Sequence, residues 1–308
     1  CRRARDSYLR EPTWAPRLPS PAAVKVSRRL QFVLVGVAMT ALLLVGACVW
    51  RPAMPPWTGT VPHPVPVRFL LTFDDGPSGA VSDNPTASIL GQLADNPIQP
   101  RIKALFFVQT RNPEGGASTV GRELLRRLHA EGHVLGLHSG SARGHIRHIK
   151  LSPAELDQSL RDGAEDVRAV SGAALEFIRP PNWAFDDAVL AAYRKYQLRM
   201  VLDDVRARDG KHWGFKWNLR RHSHIHAELA WVAEQVHAGK LPALDGAIPL
   251  IVTLHDHNTA TARSLIEYMR ALMDGARAAG LQVSTKPLFD TRAEVEQVAR
   301  LRAHASPP

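Results

Sequence analysis

The sequence predicts an α/β protein in which parallel strands alternate with helices. Two observations carry this prediction. Apolar runs of strand length alternate with amphipathic stretches of helix length, and five of the apolar runs end in polar, ionisable residues. A barrel of parallel strands would gather such strand ends at one face, where active sites of that architecture are built. The 308 residues, 45% of them hydrophobic, suffice for one barrel with additional segments.

The N-terminal segment, residues 1–29, is basic and predicted to be disordered. Residues 1–60 contain nine Lys or Arg and two acids, which gives +7 of the total net charge of +10. The remainder carries only about +3, and it has no interleaved basic and aromatic patch. The high isoelectric point therefore does not indicate a nucleic-acid partner.

Residues 30–50 contain no charged side chain and have the length of a bilayer span. Basic residues precede them, which favours export of the chain that follows. The end of the run, Leu44-Val45-Gly46-Ala47-Cys48, resembles a bacterial lipobox with Cys48 as the lipidated residue; an uncleaved signal anchor is an equal alternative. Residues 51–66, rich in proline, are predicted to be an extended tether. We therefore expect a bacterial envelope protein that contacts the membrane through its N-terminal segment.

The first predicted strand ends in the most informative motif of the chain. Phe69-Leu70-Leu71-Thr72-Phe73 leads directly into Asp74-Asp75-Gly76-Pro77. A strand that breaks into a Gly-Pro turn can direct two adjacent carboxylates into one cavity. One carboxylate can then bind a cation while the other accepts a proton.

The other four apolar runs also deliver groups that carry chemistry. They are Val134–Leu137 before His138-Ser139, Glu176–Ile178 before Arg179-Pro180-Pro181, Met200–Leu202 before Asp203-Asp204, and Ile248–Leu254 before His255-Asp256. The intervening sequence supplies one further strand and the helices. These are a strand at Lys103–Val108 and helices at Thr119–Glu131, from the capping box Ser152–Glu155 toward Val170, and at Asp186–Gln197, Ala227–Ala238 and Ala260–Ala279.

These motifs together resemble a known family. Thr72–Pro77, His138-Ser139, Arg179-Pro180-Pro181 and Leu254-His255-Asp256 occur in the order found in the polysaccharide deacetylases, also called carbohydrate esterase family 4 or the NodB-homology fold. The resemblance implies a distorted (β/α) barrel over residues 67–290, followed by a C-terminal tail at 291–308. It also implies a divalent metal ion, zinc first with cobalt and nickel as alternatives, and hydrolysis of N-acetyl groups from amino sugars in a polysaccharide.

By position, the resemblance assigns a role to each motif residue. Asp75 and His138 would be metal ligands, and Asp74 would be the general base. Arg179 would hold Asp74 in place, and His255 would be the general acid that protonates the leaving amine. These residue types suit the chemistry, since a carboxylate and two imidazoles leave a zinc position open, and histidine titrates near neutral pH.

The sequence departs from the family pattern at the acid that tunes His255. The usual Asp-Trp pair is absent from residues 203–210, so Asp204 is the first candidate and Asp209 the alternative. A second departure follows the third motif, where the family has Tyr after the proline. Here Pro181 is followed by Asn182 and Trp183, and the backbone N–H at this position remains a candidate donor to the oxyanion.

The third metal ligand is also displaced. The family places a second histidine four residues after the first, but position 142 is Ala. Counting back from the helix start at Leu151-Ser152-Pro153 selects His145, with a three-residue insertion in residues 139–144. Gly140 and Gly144 would give such a loop the conformational freedom to return an imidazole to the site. His148 is the alternative, and water or another side chain is a third possibility.

Several features remain outside this assignment. If residues 222–226 formed a strand, the imidazoles of His222, His224 and His226 would lie on one face and could bind a metal ion. No companion acid was identified, so we interpret this segment as a solvated loop. Both cysteines, Cys1 and Cys48, precede the barrel, so neither a disulfide nor a cysteine zinc site is expected in it. Two other functions stay open: a catalytically impaired relative that binds glycans, and a related barrel hydrolase of non-sugar C–N bonds.

Overall fold

The computed structural model describes residues 65–209 and 221–304. Within them, parallel strands form one sheet in the order β5-β4-β3-β2-β1-β7-β6, and β8 pairs with β1. The strands are β1 Val67–Asp74, β2 Leu105–Gln109, β3 Val134–Ser139, β4 Phe177–Ile178, β5 Arg199–Met200, β6 Val205–Arg206, β7 Ile248–His255 and β8 Val283–Leu288. The helices are α1 Pro85–Ala94, α2 Thr119–Ala130, α3 Pro153–Ser171, α4 Asp187–Lys195, α5 Arg221–His237, α6 Thr259–Ala278 and α7 Arg292–Arg302. The predicted α/β barrel fold, a parallel sheet curled into a half-barrel with helices, is confirmed.

The first strand is the centre of this sheet. β1 pairs with β7 along its full length, from Val67 opposite Ile248 to Asp74 opposite His255. Its carboxyl end also pairs with β2, while its amino end pairs with β8. Because all these strands are parallel, their carboxyl ends and the polar residues that end them lie at one edge of the sheet.

Side chains of β1 alternate between two buried layers, as the period of a strand requires. Phe69, Leu71 and Phe73 belong to the larger cluster, which includes residues of α1 to α6. Leu70 belongs to a second cluster on the other face of the sheet. That second cluster contains residues of the strands, of the positions directly after β5 and β8, and of α7, namely Leu70, Leu105, Phe107, Val134, Phe177, Val201, Ile251, Phe289, Val295, Val298 and Ala299.

The last helix therefore belongs to the core, although it falls in the predicted C-terminal tail. Arg68 on β1 donates hydrogen bonds to the carbonyl oxygens of Lys286 (3.0 Å) and Leu288 (2.9 Å) and pairs with Glu294 of α7 at 2.9 Å. These contacts tie the first described strand to the last described helix.

Two local predictions are wrong. The apolar run Met200–Leu202 does not form one strand that leads into the acids, because β5 ends at Met200 and a separate short strand, β6, follows at Val205–Arg206. The histidines 222–226 lie on α5 and not on a strand or loop. Buried Ile225, Leu229 and Val232 recur at helical spacing, so packing extends the helix six residues before its predicted start. Side chains two apart on a helix do not face each other, so the three imidazoles do not form one ligand set.

Several N-terminal predictions fall on residues outside the described range. These are the basic segment 1–29, the apolar segment 30–50 with Cys48, and all of the tether except residues 65 and 66. Among the helices of residues 65–209 and 221–304, none is long and apolar enough to cross a membrane.

Candidate active site

The strand ends bring most of the predicted site residues together. Asp74 ends β1, and Asp75 follows with a left-handed backbone, φ 72°. This conformation breaks the alternation of the strand, so two adjacent carboxylates need not point to opposite faces. Gly76 is required next, because a Cβ atom there would lie 2.0 Å from a carboxylate oxygen of Asp256.

Asp75, His138 and His145 form a candidate metal centre. One ligand atom from each residue lies within 4.8 Å of the other two. His138 donates from Nδ1 to the carbonyl oxygen of Arg179 at 2.8 Å, which leaves the lone pair on Nε2. That Nε2 is buried, has no hydrogen-bond partner among the described residues, and lies 3.4 Å from Asp75 Oδ1. A buried imidazole nitrogen without a partner, next to a carboxylate and a second imidazole, fits a divalent cation.

The electrostatics of these three residues are strongly coupled. Burial opposes ionisation of Asp75, but its hydrogen bond with His145 and the charge of His138 hold the pKa of the carboxyl well below its ordinary value. Burial lowers the pKa of His138. Burial acts in the same direction on His145, but the hydrogen bond with Asp75 outweighs it and raises the pKa. Asp75 is therefore a carboxylate at neutral pH, as a metal ligand must be.

Gln109, which sequence analysis did not single out, also holds Asp75. Its Nε2 donates to Asp75 Oδ1 at 2.7 Å, and its Oε1 accepts from Asn112 at 3.1 Å, which fixes the orientation of the amide. Gly144, with φ 65°, lies against this amide, because a Cβ atom there would be 2.9 Å from Gln109 Oε1. Gln109 ends β2, so the polar ending of an apolar strand could have identified it.

Asp74 and Arg179 form a buried ion pair behind the metal centre. Arg179 Nη1 lies 2.9 Å from Asp74 Oδ1, and both side chains are almost fully buried. The same Nη1 donates to the hydroxyls of Thr72 (2.7 Å) and Thr253 (2.9 Å). The guanidinium also lies 4.2 Å over the ring of Phe107. These contacts fix the guanidinium, so the Asp74 carboxylate has one orientation.

His255 is paired with Asp209, and the prediction of Asp204 for this role is wrong. His255 Nδ1 lies 2.7 Å from Asp209 Oδ1, while Asp209 Oδ2 accepts from the His255 backbone N–H (2.7 Å) and from Thr261 (2.5 Å). Burial lowers the pKa of His255, but the Asp209 carboxylate outweighs it and raises the pKa to about 10. Its Nε2 is 3.8 Å from Asp75 Oδ2, so the charged imidazolium faces the metal centre.

Asp204 does not bond His255, because the chain turns before β6. Its Oδ2 accepts from the backbone N–H of Ile251 at 2.7 Å, and its Oδ1 pairs with Arg302 of α7. The carboxylate therefore joins β7 to the last helix. Asp209 reaches His255 because it follows β6, which pairs with β7.

The third motif forms a tight turn beside His145. Pro181–Trp183 is a single 3-10 turn in which Asn182 and Trp183 have left-handed φ values of 57° and 54°. The Trp183 backbone N–H donates to Pro180 at 3.0 Å within the turn, so Asn182 supplies the candidate oxyanion N–H. After the hydrogen bond with Asp75, the nearby Asn182 side chain also helps to raise the pKa of His145.

The Trp183 side chain packs against Arg206. Its ring lies 4.1 Å from the guanidinium carbon of Arg206, and Arg206 is held by Asp203 at 3.1 Å. His148, the alternative third ligand, is not among the described residues whose ligand atoms come together with Asp75 and His138; its Nδ1 bonds to the hydroxyl of Tyr193 at 2.6 Å.

The chain is similar to known deacetylases. Residues 65–201 match the sequence model described as polysaccharide deacetylase. A chitin deacetylase of Colletotrichum lindemuthianum is 25% identical over 220 residues, which cover 71% of this chain and 78% of that protein. A peptidoglycan-N-acetylglucosamine deacetylase of Listeria monocytogenes is 30% identical over 198 residues, which cover 64% of this chain and 34% of that protein.

The fold is similar to that of a solved structure. The chitin deacetylase of the fungal pathogen C. lindemuthianum superposes with a TM-score of 0.51 at 21% sequence identity, covering 76% of this chain and 90% of that one. At this identity the likeness concerns the fold. Together with the ordered motifs, the matched sequence model and these relatives show that residues 65–201 are similar to the polysaccharide deacetylase family.

Proposed function

We propose that the protein is a metal-dependent deacetylase that hydrolyses N-acetyl groups of amino sugars in an envelope or extracellular polysaccharide. One observation carries this proposal: a candidate metal centre lies next to two separately built carboxylate pairs, Asp74 with Arg179 and Asp209 with His255. Amide hydrolysis needs a base for the attacking water and an acid for the leaving amine, and the two pairs can supply one each.

The metal centre suits zinc, with cobalt or nickel as alternatives, through Asp75, His138 and His145. A divalent ion at such a site supplies Lewis acidity, which activates water and polarises the acetyl carbonyl. Nε2 of His138 is already directed by the hydrogen bond at Nδ1, so this ligand requires no reorientation.

The protein's own residues would complete the reaction. Asp74, held by Arg179, takes the proton from the attacking water. The backbone N–H of Asn182 donates to the carbonyl oxygen as negative charge develops on it. His255, kept charged by Asp209, gives its proton to the nitrogen as the C–N bond breaks, so that the amine leaves in neutral form.

The printed activities of the relatives, on chitin and on peptidoglycan, make N-acetylated amino sugar polymers the proposed substrates. A glycan-binding relative without activity would need neither the base nor the acid, so the two buried pairs favour an enzyme. For the third possibility, hydrolysis of non-sugar C–N bonds, no feature of the site gives specific support.

Localisation in the bacterial envelope is part of the proposal and depends on residues 30–50. We propose that this segment attaches the deacetylase domain, residues 67–290, to the membrane, either as a retained anchor or through lipid on Cys48. Replacing Cys48 with serine should abolish metabolic labelling with a fatty acid if the lipid is present. Unchanged labelling would mean that residues 30–50 are either a retained membrane anchor or a cleaved signal.

The decisive test combines acetate release with metal analysis on N-acetylated chitooligosaccharides and on peptidoglycan. We expect a chelator to abolish acetate release and zinc or cobalt to restore it. Asp75→Ala should lose the metal. Asp74→Asn should keep the metal and lose rate by about 10²–10⁴-fold, since the base is removed and the ligands are not. Full activity of Asp74→Asn would contradict the assignment of the base.

A further inference from the structure

His148 is a buried histidine that the proposed chemistry does not use. It is 1% exposed, and Tyr193 on α4 is 0% exposed. His148 Nδ1 and the Tyr193 hydroxyl are 2.6 Å apart, and the two rings meet edge to face with their centroids 5.8 Å apart. Burial lowers the pKa of His148 to about 3 and raises the pKa of Tyr193 well above its ordinary value. Both groups are therefore uncharged at neutral pH, and the hydrogen bond between them does not depend on pH near neutrality.

This pair lies next to the least supported ligand of the candidate metal centre. His145 follows the loop 139–144 and keeps about a third of its side chain exposed, whereas His138 lies on β3 and is buried. The backbone is fixed just before His145, where Gly144 packs against Gln109 and Asn112. It is fixed again three residues later, where His148 begins a short 3-10 turn.

We propose that the His148–Tyr193 pair is a positioning device for the metal ligand His145. The inference rests on the proposed metal site. The segment that brings the His145 imidazole to Asp75 is held at both ends, and the buried pair holds the second end against α4. The pair acts through the backbone and makes no contact with substrate.

Variants that break and then remove the pair test this role. Tyr193→Phe leaves a buried imidazole without its partner, and His148→Leu leaves a buried hydroxyl without its partner. The double variant removes both polar groups together, and such paired replacement is much less harmful than loss of one partner. Tyr196→Phe is the matched control, since its hydroxyl donates at 3.2 Å to the backbone oxygen of Asp157 on α3 and makes no hydrogen bond to His148.

The measurements are zinc affinity by chelator competition and the visible absorption of the cobalt-loaded protein, which reports ligand geometry. Melting of the metal-free protein is recorded in parallel. We expect each single variant to weaken zinc binding about tenfold and to change the cobalt spectrum. We expect the double variant to recover most of the affinity, and Tyr196→Phe to behave like the wild type.

Two results would overturn the inference. One is that the single variants melt at lower temperature but match the control in zinc affinity and cobalt spectrum. The other is that the double variant loses as much affinity as the two single losses combined, which would mean that the groups do not act as a pair. If the proposed function itself were wrong, the result would differ from both of these, because the wild-type protein would neither bind the metal nor release acetate.

Discussion

Replacing Asp209 with asparagine tests the proposed acid directly. Asparagine keeps the size of the side chain and can still accept a hydrogen bond from His255, but the negative charge is lost. Burial alone lowers the pKa of His255, and the largest opposing contribution comes from Asp209, which brings the pKa to about 10. Without that charge we expect the pKa to fall to about its ordinary value of 6.5 or lower.

The size of the effect depends on pH in a defined way. A group with a pKa of about 10 is almost fully protonated at pH 8, whereas a pKa of 6.5 leaves roughly 3% in the acid form. If His255 must be protonated to release the amine, kcat/KM of Asp209→Asn should fall about 30-fold at pH 8. At pH 6 most of the imidazole is protonated in both proteins, so the loss should shrink to less than about twofold.

The assay is acetate release from pH 6 to pH 10 with saturating metal, and the matched control is Asp204→Asn. Asp204 is also buried, but its carboxylate bonds Ile251 and Arg302 and does not touch His255. We expect this control to lower the melting temperature and to leave the alkaline limb of the pH profile unchanged. Asp209→Asn should move that limb to lower pH by about 3.5 units or more.

The reasoning would be refuted if the alkaline limb moved in Asp204→Asn and stayed in place in Asp209→Asn. An unchanged limb in both variants would remove His255 from the role of acid altogether. A uniform loss at every pH in Asp209→Asn would point to lost positioning of the imidazole and not to lost protonation.

Three further outcomes follow from the buried contacts. Arg179→Met leaves Asp74 as a buried charge without its partner, so chemical denaturation should show a loss of about 3–5 kcal/mol in the free energy of unfolding; an unchanged value would show that the pair does not support the fold. Gly76→Ala places a methyl group against Asp256 and should cost about 1–3 kcal/mol. Its control, Gly91→Ala in α1, has open space and should instead stabilise by up to about 1 kcal/mol; equal effects would contradict the packing argument. Zinc at about 100 times its dissociation constant should stabilise the metal-free protein by about 2.7 kcal/mol. A melting temperature that does not change when zinc is added would argue against the metal site.

Much of the site could be predicted because each group sits at the end of a long apolar strand or beside a distinctive turn. The sequence of β1 shows both the buried strand and the two acids that follow it, and the same holds for β7 and His255. The choice between Asp204 and Asp209 could not be made in this way. β6 is only two residues long, too short for a periodic pattern, so the sequence gives no sign that the chain turns between the two acids.

Loop geometry and tertiary packing account for the other differences. Spacing from the helix start identified His145 as the candidate ligand, but nothing in the local sequence shows that Tyr193, far along the chain, forms a hydrogen bond with His148. The early start of α5 depends on burial of Ile225 in the core, which overrides the polar composition around it. Gln109 lies on an apolar strand whose polar last residue was not weighed as part of the site.

The position of α7 has a consequence for the order in which the protein can be made. Its side chains Val295, Val298 and Ala299 complete the inner layer of the sheet, and β1 pairs with strands about 180 to 220 residues later in the chain. A ribosome adds about 5–20 residues per second, so the growing chain passes tens of seconds without its closing helix. Such distant pairings are also slow to form. The domain should therefore stay loosely structured until α7 has been synthesised, a state that a translocation channel can thread and that a protease can attack.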